Sequence, residues 1–306
     1  MKRWKERLAE AAIYLSALAT IVSLLLIFVF IGKEAVPIFT SSEVQQEVTL
    51  RKMTLPLEGR YRFSWQPVSS VPKYSLLPLI IGTLKATIVA LLFALPIALG
   101  AALFTAEFAS NWLKEIVKPV IELLAGIPSV VLGFFALMVM ASVLKDTFGF
   151  TYRLNAITAG IALGLAVIPV VYTVAEDAMT AVPQSYREAS MAMGASAWQT
   201  AWKIVIPASM PGIFAACVLG FGRAIGETMI VLMASGNAAM TSWSFTDSLR
   251  SLSATVAAEM GEVVVGSPHY HVLFFIGTLL FVFTFITNLL GQWFVNRLKR
   301  KVSGIT

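Results

Sequence analysis

Charge is scarce in this chain. Asp, Glu, Lys and Arg together make up 13% of its 306 residues, whereas hydrophobic residues make up 58%. Soluble domains usually contain about 25% charged residues, so this composition predicts a membrane protein. Cysteine is almost absent as well. Cys217 has no second cysteine to pair with, which excludes a disulfide within the chain.

The sequence also lacks the motifs of an ATPase or a metalloenzyme. No G-x-x-x-x-G-K-[ST] run occurs, so we do not expect the chain to bind ATP through a P-loop. Its two histidines, His269 and His271, are not accompanied by the further ligands that a metal site needs. No nucleophile, base and orienting group can be assembled from its motifs. We therefore predict no catalytic residues, no metal site and no cofactor in this chain.

Six long apolar runs account for most of the sequence. Each has at least the roughly 20 residues that cross a bilayer as a helix. They cover residues 11–32, 76–106, 123–144, 154–175, 211–233 and 272–295. The first run is too long for the apolar core of a signal peptide and lacks a small-residue cleavage site, so we expect it to be retained. The sequence therefore predicts an all-α polytopic membrane protein with six transmembrane helices.

Basic residues lie at both ends of this array. They are Lys2, Arg3, Lys5 and Arg7 before the first run, and Arg297, Lys299, Arg300 and Lys301 after the last. The positive-inside rule predicts that both termini are cytoplasmic. Residues 1–10 are then a cytoplasmic N-terminus, 33–75 an outer loop, and 76–306 the core, with a cytoplasmic loop at about 176–210. The net charge of +6 fits basic flanks held near anionic lipid headgroups better than it fits a nucleic-acid surface.

Two outer segments are predicted to contain short elements of secondary structure. Polar and apolar residues alternate in 46–50 and 60–65, which is typical of short strands. The segment 235–271 is rich in Ser, Thr and Ala and is predicted to include a short helix over 248–262. Lys85, the charge that interrupts the second apolar run, is expected to extend its ammonium group to the membrane interface.

The fifth run contains Arg223 and Glu227. If the run is one helix, the two side chains project from the same face, one turn apart. A charge at the bilayer centre costs roughly 2.5–3.5 kcal/mol, so both charges need an explanation. One interpretation is a structural salt bridge. The other is a polar path, in which Arg223 donates to an oxyanion and Glu227 weakens its grip or accepts a hydrogen bond from hydrogen phosphate. The neighbouring Gly220, Gly222 and Gly226 favour close helix packing.

A polar island between the fourth and fifth runs resembles a known motif. Residues 188–194 read Glu-Ala-Ser-Met-Ala-Met-Gly, and after nine residues Ile-Val-Ile-Pro follows at 204–207. The spacing resembles the EAA loop of bacterial ABC importer permeases, with Ser190 for the second Ala and Ile206 for Leu. We expect a short lever helix over about 184–203, with a turn at Gly194. The candidate coupling residues are Glu188, Ala189, Gly194, Ile204 and Pro207.

A second resemblance is more specific. Residues 222–233, Gly-Arg-Ala-Ile-Gly-Glu-Thr-Met-Ile-Val-Leu-Met, resemble the signature of phosphate-specific ABC importer permeases. The continuation through residue 237 is similar to the PstC-type subunit. Further matches are Gly-Ile-Pro-Ser-Val-Val at 126–131 and Ala-Ala-Glu-Met-Gly-Glu at 257–262. The resemblance covers the second to sixth runs.

The resemblance implies a MetI-like permease fold in a prokaryotic inner membrane. It also implies a homologous PstA-type permease and an extracytoplasmic phosphate-binding protein. A dimeric ATP-binding subunit would bind ATP and Mg and dock on the coupling loop, where the family's Glu and Gly fall on Glu188 and Gly194. The family's transmembrane Arg and Glu fall on Arg223 and Glu227, which places these residues on a path for inorganic phosphate. Three alternatives stay open: a permease for sulfate, molybdate or phosphonate, an anion channel or carrier outside the ABC class, and a purely structural membrane subunit.

Overall fold

The computed structural model describes residues 2–56 and 63–302. Within these residues, six helices are long and apolar enough to cross a membrane. Their bounds are Glu6–Thr40, Leu77–Phe108, Ser129–Phe148, Ala156–Thr180, Ala197–Gly226 and Pro268–Leu298. The predicted six-helix architecture is confirmed.

Shorter elements divide and connect these spans. The helices are α1 (Lys2–Ala35), α2 (Pro37–Thr40), α3 (Ser42–Glu47), α4 (Leu50–Thr54), α5 (Leu77–Leu103), α6 (Asn111–Ala125), α7 (Ser129–Phe135), α8 (Ala141–Phe148), α9 (Ala156–Thr180), α10 (Gln184–Ala192), α11 (Ala197–Thr200), α12 (Ile206–Gly226), α13 (Met229–Ala234), α14 (Leu252–Glu259) and α15 (Pro268–Val302). The strands β1 (Trp65–Gln66) and β2 (Lys73–Tyr74) pair antiparallel, with Trp65 opposite Tyr74. Wider π-helical turns occupy Phe104–Phe108, Ala136–Met140 and Ala201–Val205.

The core is formed where α5, α9 and α12 pack together. Every fourth residue of α5 from Ala86 to Ala102 is an alanine, and none of these five is more than 2% exposed. Opposite them, a Cβ atom added at Gly160 of α9 would lie 2.4 Å from the Cβ of Val89. Small side chains on both helices thus let the two backbones approach closely, which is how helices associate in lipid.

Helices α1 and α15 pack against each other in opposite directions. The rings of Phe28 and Phe281 are 5.0 Å apart, and the Nδ1 atom of His271 lies 2.7 Å from the carbonyl oxygen of Glu34. Both chain termini therefore lie at one end of the bundle, which we call the terminal end. The opposite end, which carries β1 and β2, is the hairpin end. That the terminal end faces the cytoplasm stays a prediction.

The segment after α1 differs in part from the predicted pair of strands. The strand predicted over 46–50 is wrong, because α3 continues to Glu47 and α4 begins at Leu50. The side chain of Thr49 accepts a hydrogen bond from the backbone N–H of Lys52, which caps α4 and favours a helix there. Of the strand predicted over 60–65, Trp65 does begin β1, while residues 60–62 lie outside the described residues.

Lys85 does not extend to the interface. Its side chain is 2% exposed, and its Nζ atom donates to the backbone oxygen of Ser242, 3.1 Å away. The expected snorkelling is therefore wrong, because the loop after α13 covers this position of α5 and supplies the acceptor. The helix predicted over 248–262 is present as the shorter α14.

Two of the predicted spans are interrupted. The apolar run 123–144 is not one helix, because α6 ends at Ala125 and α7 begins at Ser129 after a break that contains Gly126 and Pro128. The run 211–233 is broken as well, since α12 ends at Gly226 and α13 begins at Met229. The fifth span instead begins at Ala197, so Pro207 and Pro211 both lie within it.

Candidate coupling surface and translocation path

The polar island folds as two short helices at the terminal end. Helix α10 ends at Ala192, and Gly194 has φ +85°, a left-handed conformation that glycine adopts without strain. Ser196 then caps α11: its side chain accepts from the N–H of Gln199, and the Gln199 side chain accepts from the N–H of Ser196. The predicted turn at Gly194 is confirmed.

An exposed face of this segment contains most of the candidate coupling residues. Glu188, Ala189 and Gly194 are exposed, and Met193 between them is 89% exposed. We call Glu188, Ala189, Met193 and Gly194 the coupling surface. In the described part of the chain, no hydrogen bond or ion pair involves the Glu188 carboxylate. Its charge is therefore available to a partner.

The other two coupling candidates lie further along the chain. Ile204 is half-buried in the π-helical turn Ala201–Val205, and Pro207 is exposed in the first turn of α12. The motif thus divides into an exposed part on α10 and a part that joins this segment to the fifth span. The chain continues without interruption from α11 through the π-helical turn into α12.

Arg187 attaches α10 to the bundle, a contact that the sequence analysis did not identify. Its Nη2 atom donates to Oε1 of Glu107 at 2.7 Å, and its Nε atom donates to the same carboxylate at 3.1 Å. The guanidinium also donates to the backbone oxygens of Met179, at 2.9 Å, and of Val182. Glu107 lies in the π-helical turn that ends the second span, and Met179 lies in the last turn of α9.

A second ion pair at the terminal end joins α6 to α9. The Nζ atom of Lys118 lies 2.8 Å from Oε2 of Glu176 and 3.1 Å from Oδ1 of Asp177. The hydrogen bond to Glu176 outweighs partial burial and raises the pKa of Lys118 above its usual value. Neither partner lies on α10, so this pair supports the bundle without touching the coupling surface.

Arg223 and Glu227 are not arranged as the sequence predicts. Arg223 is exposed in the last turn of α12, but Glu227 follows the end of that helix with φ −67° and ψ 133°, which is extended backbone. The prediction that both side chains project from one helical face is therefore wrong. No salt bridge joins the two residues, both of which lie in the described part of the chain.

The carboxylate of Glu227 caps the half-helix that follows the break. Its Oε1 atom accepts from the backbone N–H groups of Thr228 and Met229, each at 3.2 Å. Its carbonyl oxygen accepts from the hydroxyl of Ser253 in α14, at 2.8 Å. Backbone groups that a break leaves unpaired are costly in lipid, so these contacts stabilise the interruption.

The two interrupted spans pack on each other. A Cβ atom added at Gly133 of α7 would lie 3.1 Å from the carbonyl oxygen of Met229 and 3.2 Å from the Cα of Ile230. Helix α7 thus contacts α13 through glycine. The two helices that follow the breaks therefore pack on each other, and Arg223 lies in the last turn of α12, before the second break.

Amide side chains on α15 lie close to the same region, and the sequence analysis did not single them out. Asn288, Gln292 and Asn296 recur at every fourth position and line a cavity of about 360 Å³ against α12. A Cβ atom added at Gly222 would lie 4.0 Å from Oδ1 of Asn288. The four-residue spacing of amides in an apolar helix is the signal that would have identified this polar row.

At the hairpin end, one carboxylate joins four segments. Glu259 of α14 accepts from Nε1 of Trp65 at 3.0 Å, and it lies 2.7 Å from Nη1 of Arg250 and 2.8 Å from Nε2 of His269. Burial acts to raise the pKa of Glu259, but the bonds from His269 and Trp65 and the charge of Arg250 outweigh it and hold that pKa below its usual value. His269 is thus a partner in this cluster.

Comparisons with known proteins agree with this architecture. Residues 95–303 match the model of a family described as binding-protein-dependent transport system inner membrane component. The probable ABC transporter permease protein YqgH of Bacillus subtilis is 35% identical over 245 residues, which are 80% of this chain and 79% of YqgH. The phosphate transport system permease protein PstC of Xylella fastidiosa (strain Temecula1) is 32% identical over 272 residues, which are 82% of this chain and 83% of PstC.

The solved structures show the same fold. A chain of the inward-facing methionine ABC transporter MetNI superposes with a TM-score of 0.57 at 18% identity, and the match covers 73% of this chain and 97% of that one. The expected MetI-like architecture and the resemblance to PstC-type permeases are both confirmed.

Proposed function

We propose that this chain translocates inorganic phosphate. It belongs to the family of binding-protein-dependent transport system inner membrane components, and it is thus a multi-pass ABC importer permease of the inner membrane. Its relatives include phosphate transport system permease proteins named PstC, and this naming supports phosphate as the substrate. Family membership sets aside the alternative of a channel or carrier outside the ABC class.

The observation that carries the proposal is the position of Arg223. It places a permanent positive charge, exposed in the isolated chain, beside a break in the fifth span and near the amide row of α15. A guanidinium presents a planar set of donors that matches the oxygens of phosphate. A charged side chain in an apolar span is expensive unless it faces a polar cavity or path. We therefore assign Arg223 to the wall of the phosphate path.

Glu227 has a different role from that expected of a simple counter-charge. Its Oε1 atom is occupied by two backbone N–H groups, so the carboxylate shapes the break as well as the local potential. Glutamine can place an amide oxygen where the carboxylate oxygen accepts from those N–H groups, so it removes only the charge, whereas alanine removes both the acceptor and the charge. Glu227→Gln therefore tests the role of the negative charge, and Glu227→Ala tests the role of the hydrogen bonds that cap α13.

The proposed partners follow from the family and from the coupling surface. A PstA-type permease completes the path, and a dimeric ATP-binding subunit, which binds ATP and Mg, docks against Glu188, Ala189 and Gly194. An extracytoplasmic phosphate-binding protein delivers the substrate at the hairpin end, which requires the terminal end to be cytoplasmic. ATP hydrolysis is assigned to the partner subunit.

Phosphate uptake into proteoliposomes tests this proposal. The vesicles contain this chain with the PstA-type permease, the ATP-binding subunit and the binding protein, and radiolabelled phosphate is supplied outside. We expect ATP-dependent uptake that excess sulfate, molybdate or phosphonate does not suppress. We also expect Arg223→Gln to reduce uptake at least tenfold in a complex that still assembles. Suppression by another oxyanion, or full uptake by the Arg223→Gln complex, would contradict the proposal.

A further inference from the structure

We propose that Arg187 is a positioning residue that rigidly connects α10 to the ends of the second and fourth spans, so that movement of the coupling surface is transmitted to both. This inference rests on the proposed docking of an ATP-binding subunit at α10. It concerns how that docking acts, and it assigns a role to an ion pair outside the EAA-like motif.

The geometry of the guanidinium supports a connecting role. Arg187 contacts three separate points: the carboxylate of Glu107 and the backbone oxygens of Met179 and Val182. A planar guanidinium can hold several acceptors in fixed directions at once, which an ammonium group cannot do. The side chains of Arg187 and Glu107 are 13% and 9% exposed, so water competes little for these contacts.

Helix α10 has few other attachments to the second and fourth spans. None of its nine residues is buried, and it packs mainly against α11 and the following π-helical turn. The hydroxyls of Ser190 and Thr200, 2.9 Å apart, link it to α11. Apolar packing therefore contributes little to holding α10 against the second and fourth spans, and the contacts of Arg187 are the polar link to both.

The position of Arg187 in the sequence matters as well. It precedes Glu188, so one side of α10 binds the bundle while the adjacent residue is exposed on the coupling surface. A displacement applied at Glu188 is transmitted through one residue of helix to Glu107 and Met179. Without the guanidinium, α10 can move relative to these two span ends, and ATP hydrolysis is no longer converted into movement of the path.

The experiment compares transport with hydrolysis in the complete complex. Proteoliposomes are prepared with wild type, Arg187→Gln, Glu107→Gln and the double variant, and both phosphate uptake and ATP hydrolysis are measured. We expect each of the three variants to lower the ratio of phosphate imported to ATP hydrolysed at least fivefold, with hydrolysis within about twofold of wild type. The double variant should be no worse than Arg187→Gln alone, because the substitution at Glu107 alters a partner that has already lost the guanidinium. Arg187→Lys should give an intermediate ratio.

Lys118→Gln is the matched control. It breaks another ion pair at the terminal end, between α6 and α9, and leaves α10 untouched. We expect it to retain the wild-type ratio even where it lowers thermal stability. An unchanged ratio in the Arg187→Gln complex would overturn the inference, as would failure of that complex to retain the ATP-binding subunit, since Arg187 would then serve assembly. Absence of phosphate uptake in wild type would instead refute the proposed function.

Discussion

Substituting Glu259 by glutamine should destabilise the hairpin end strongly. The Glu259 carboxylate is the shared acceptor for Trp65, Arg250 and His269, which come from three other segments of the chain. Glutamine is nearly isosteric but neutral, so Arg250 would lose its ion pair while staying largely buried. Removing one partner of a buried pair costs roughly 3–5 kcal/mol. Since the side chains of Arg250 and Glu259 are 15% and 16% exposed, we expect a loss at the lower end of this range, about 3 kcal/mol.

The measurement is thermal unfolding of the purified chain in detergent at neutral pH, followed by tryptophan fluorescence. A loss of about 3 kcal/mol corresponds to a fall in Tm of roughly 6–12 °C. Glu262→Gln, three residues further along and exposed, is the control and should change stability by no more than about 0.5 kcal/mol. If the two variants melt within 2 °C of each other, the cluster does not stabilise the fold as argued.

The same cluster predicts a pH dependence with a defined sign. The pKa of Glu259 is held below its usual value of 4.5, so the folded state favours the ionised carboxylate. This contribution is fully present above the pKa of the unfolded chain and is lost as the pH falls through the lower, folded pKa. When the pH is lowered from neutral to below 4.5, the free energy of unfolding of wild type should therefore fall by more than that of Glu259→Gln. Parallel losses in both proteins would contradict this assignment.

Three further predictions concern single positions. Gly220→Ala should lower the free energy of unfolding by about 1–3 kcal/mol, because its new Cβ would lie 2.5 Å from Cγ2 of Val171. Gly226→Ala is the control: no atom lies within 4 Å of its new Cβ, so its Tm in the same thermal unfolding experiment should be nearly that of wild type. Gly194→Ala should cost about 1–2 kcal/mol through its φ of +85° alone, seen as a lower Tm although no atom obstructs the methyl group. Glu188→Ala should leave Tm within about 0.5 kcal/mol of wild type but reduce the amount of ATP-binding subunit that copurifies.

Sequence reasoning predicted the features that depend on local composition. The number of spans follows from apolar runs of bilayer length, and the turn at Gly194 follows from the freedom of glycine between two short amphipathic pieces. The break near Gly226 was missed because an apolar composition shows that a run can lie in lipid but not that its helix is continuous. This error led directly to the wrong geometry for Arg223 and Glu227.

The other missed features depend on partners that are distant in the sequence. Lys85 was expected at the interface because its acceptor, the carbonyl of Ser242, lies 157 positions later in the chain. Arg187 and Glu107 are 80 positions apart, and neither belongs to a motif that the sequence analysis recognised. A side chain's partner across the bundle is set by tertiary packing, which hydropathy and spacing do not encode.

These contacts together locate where the chain can bend. Helices α5, α9 and α12 are joined by small residues at close range, and bodies packed this tightly move as units. Arg187 connects α10 to that unit at the terminal end, so the unit should follow the coupling surface. At residues 126–128 and 227–228 the helices are interrupted, and the backbone can change direction there. Because Arg223 lies in the last turn of α12 and Glu227 caps α13 beyond the break, we infer that movement of the core changes the position of Arg223 relative to α7, α13 and Glu227.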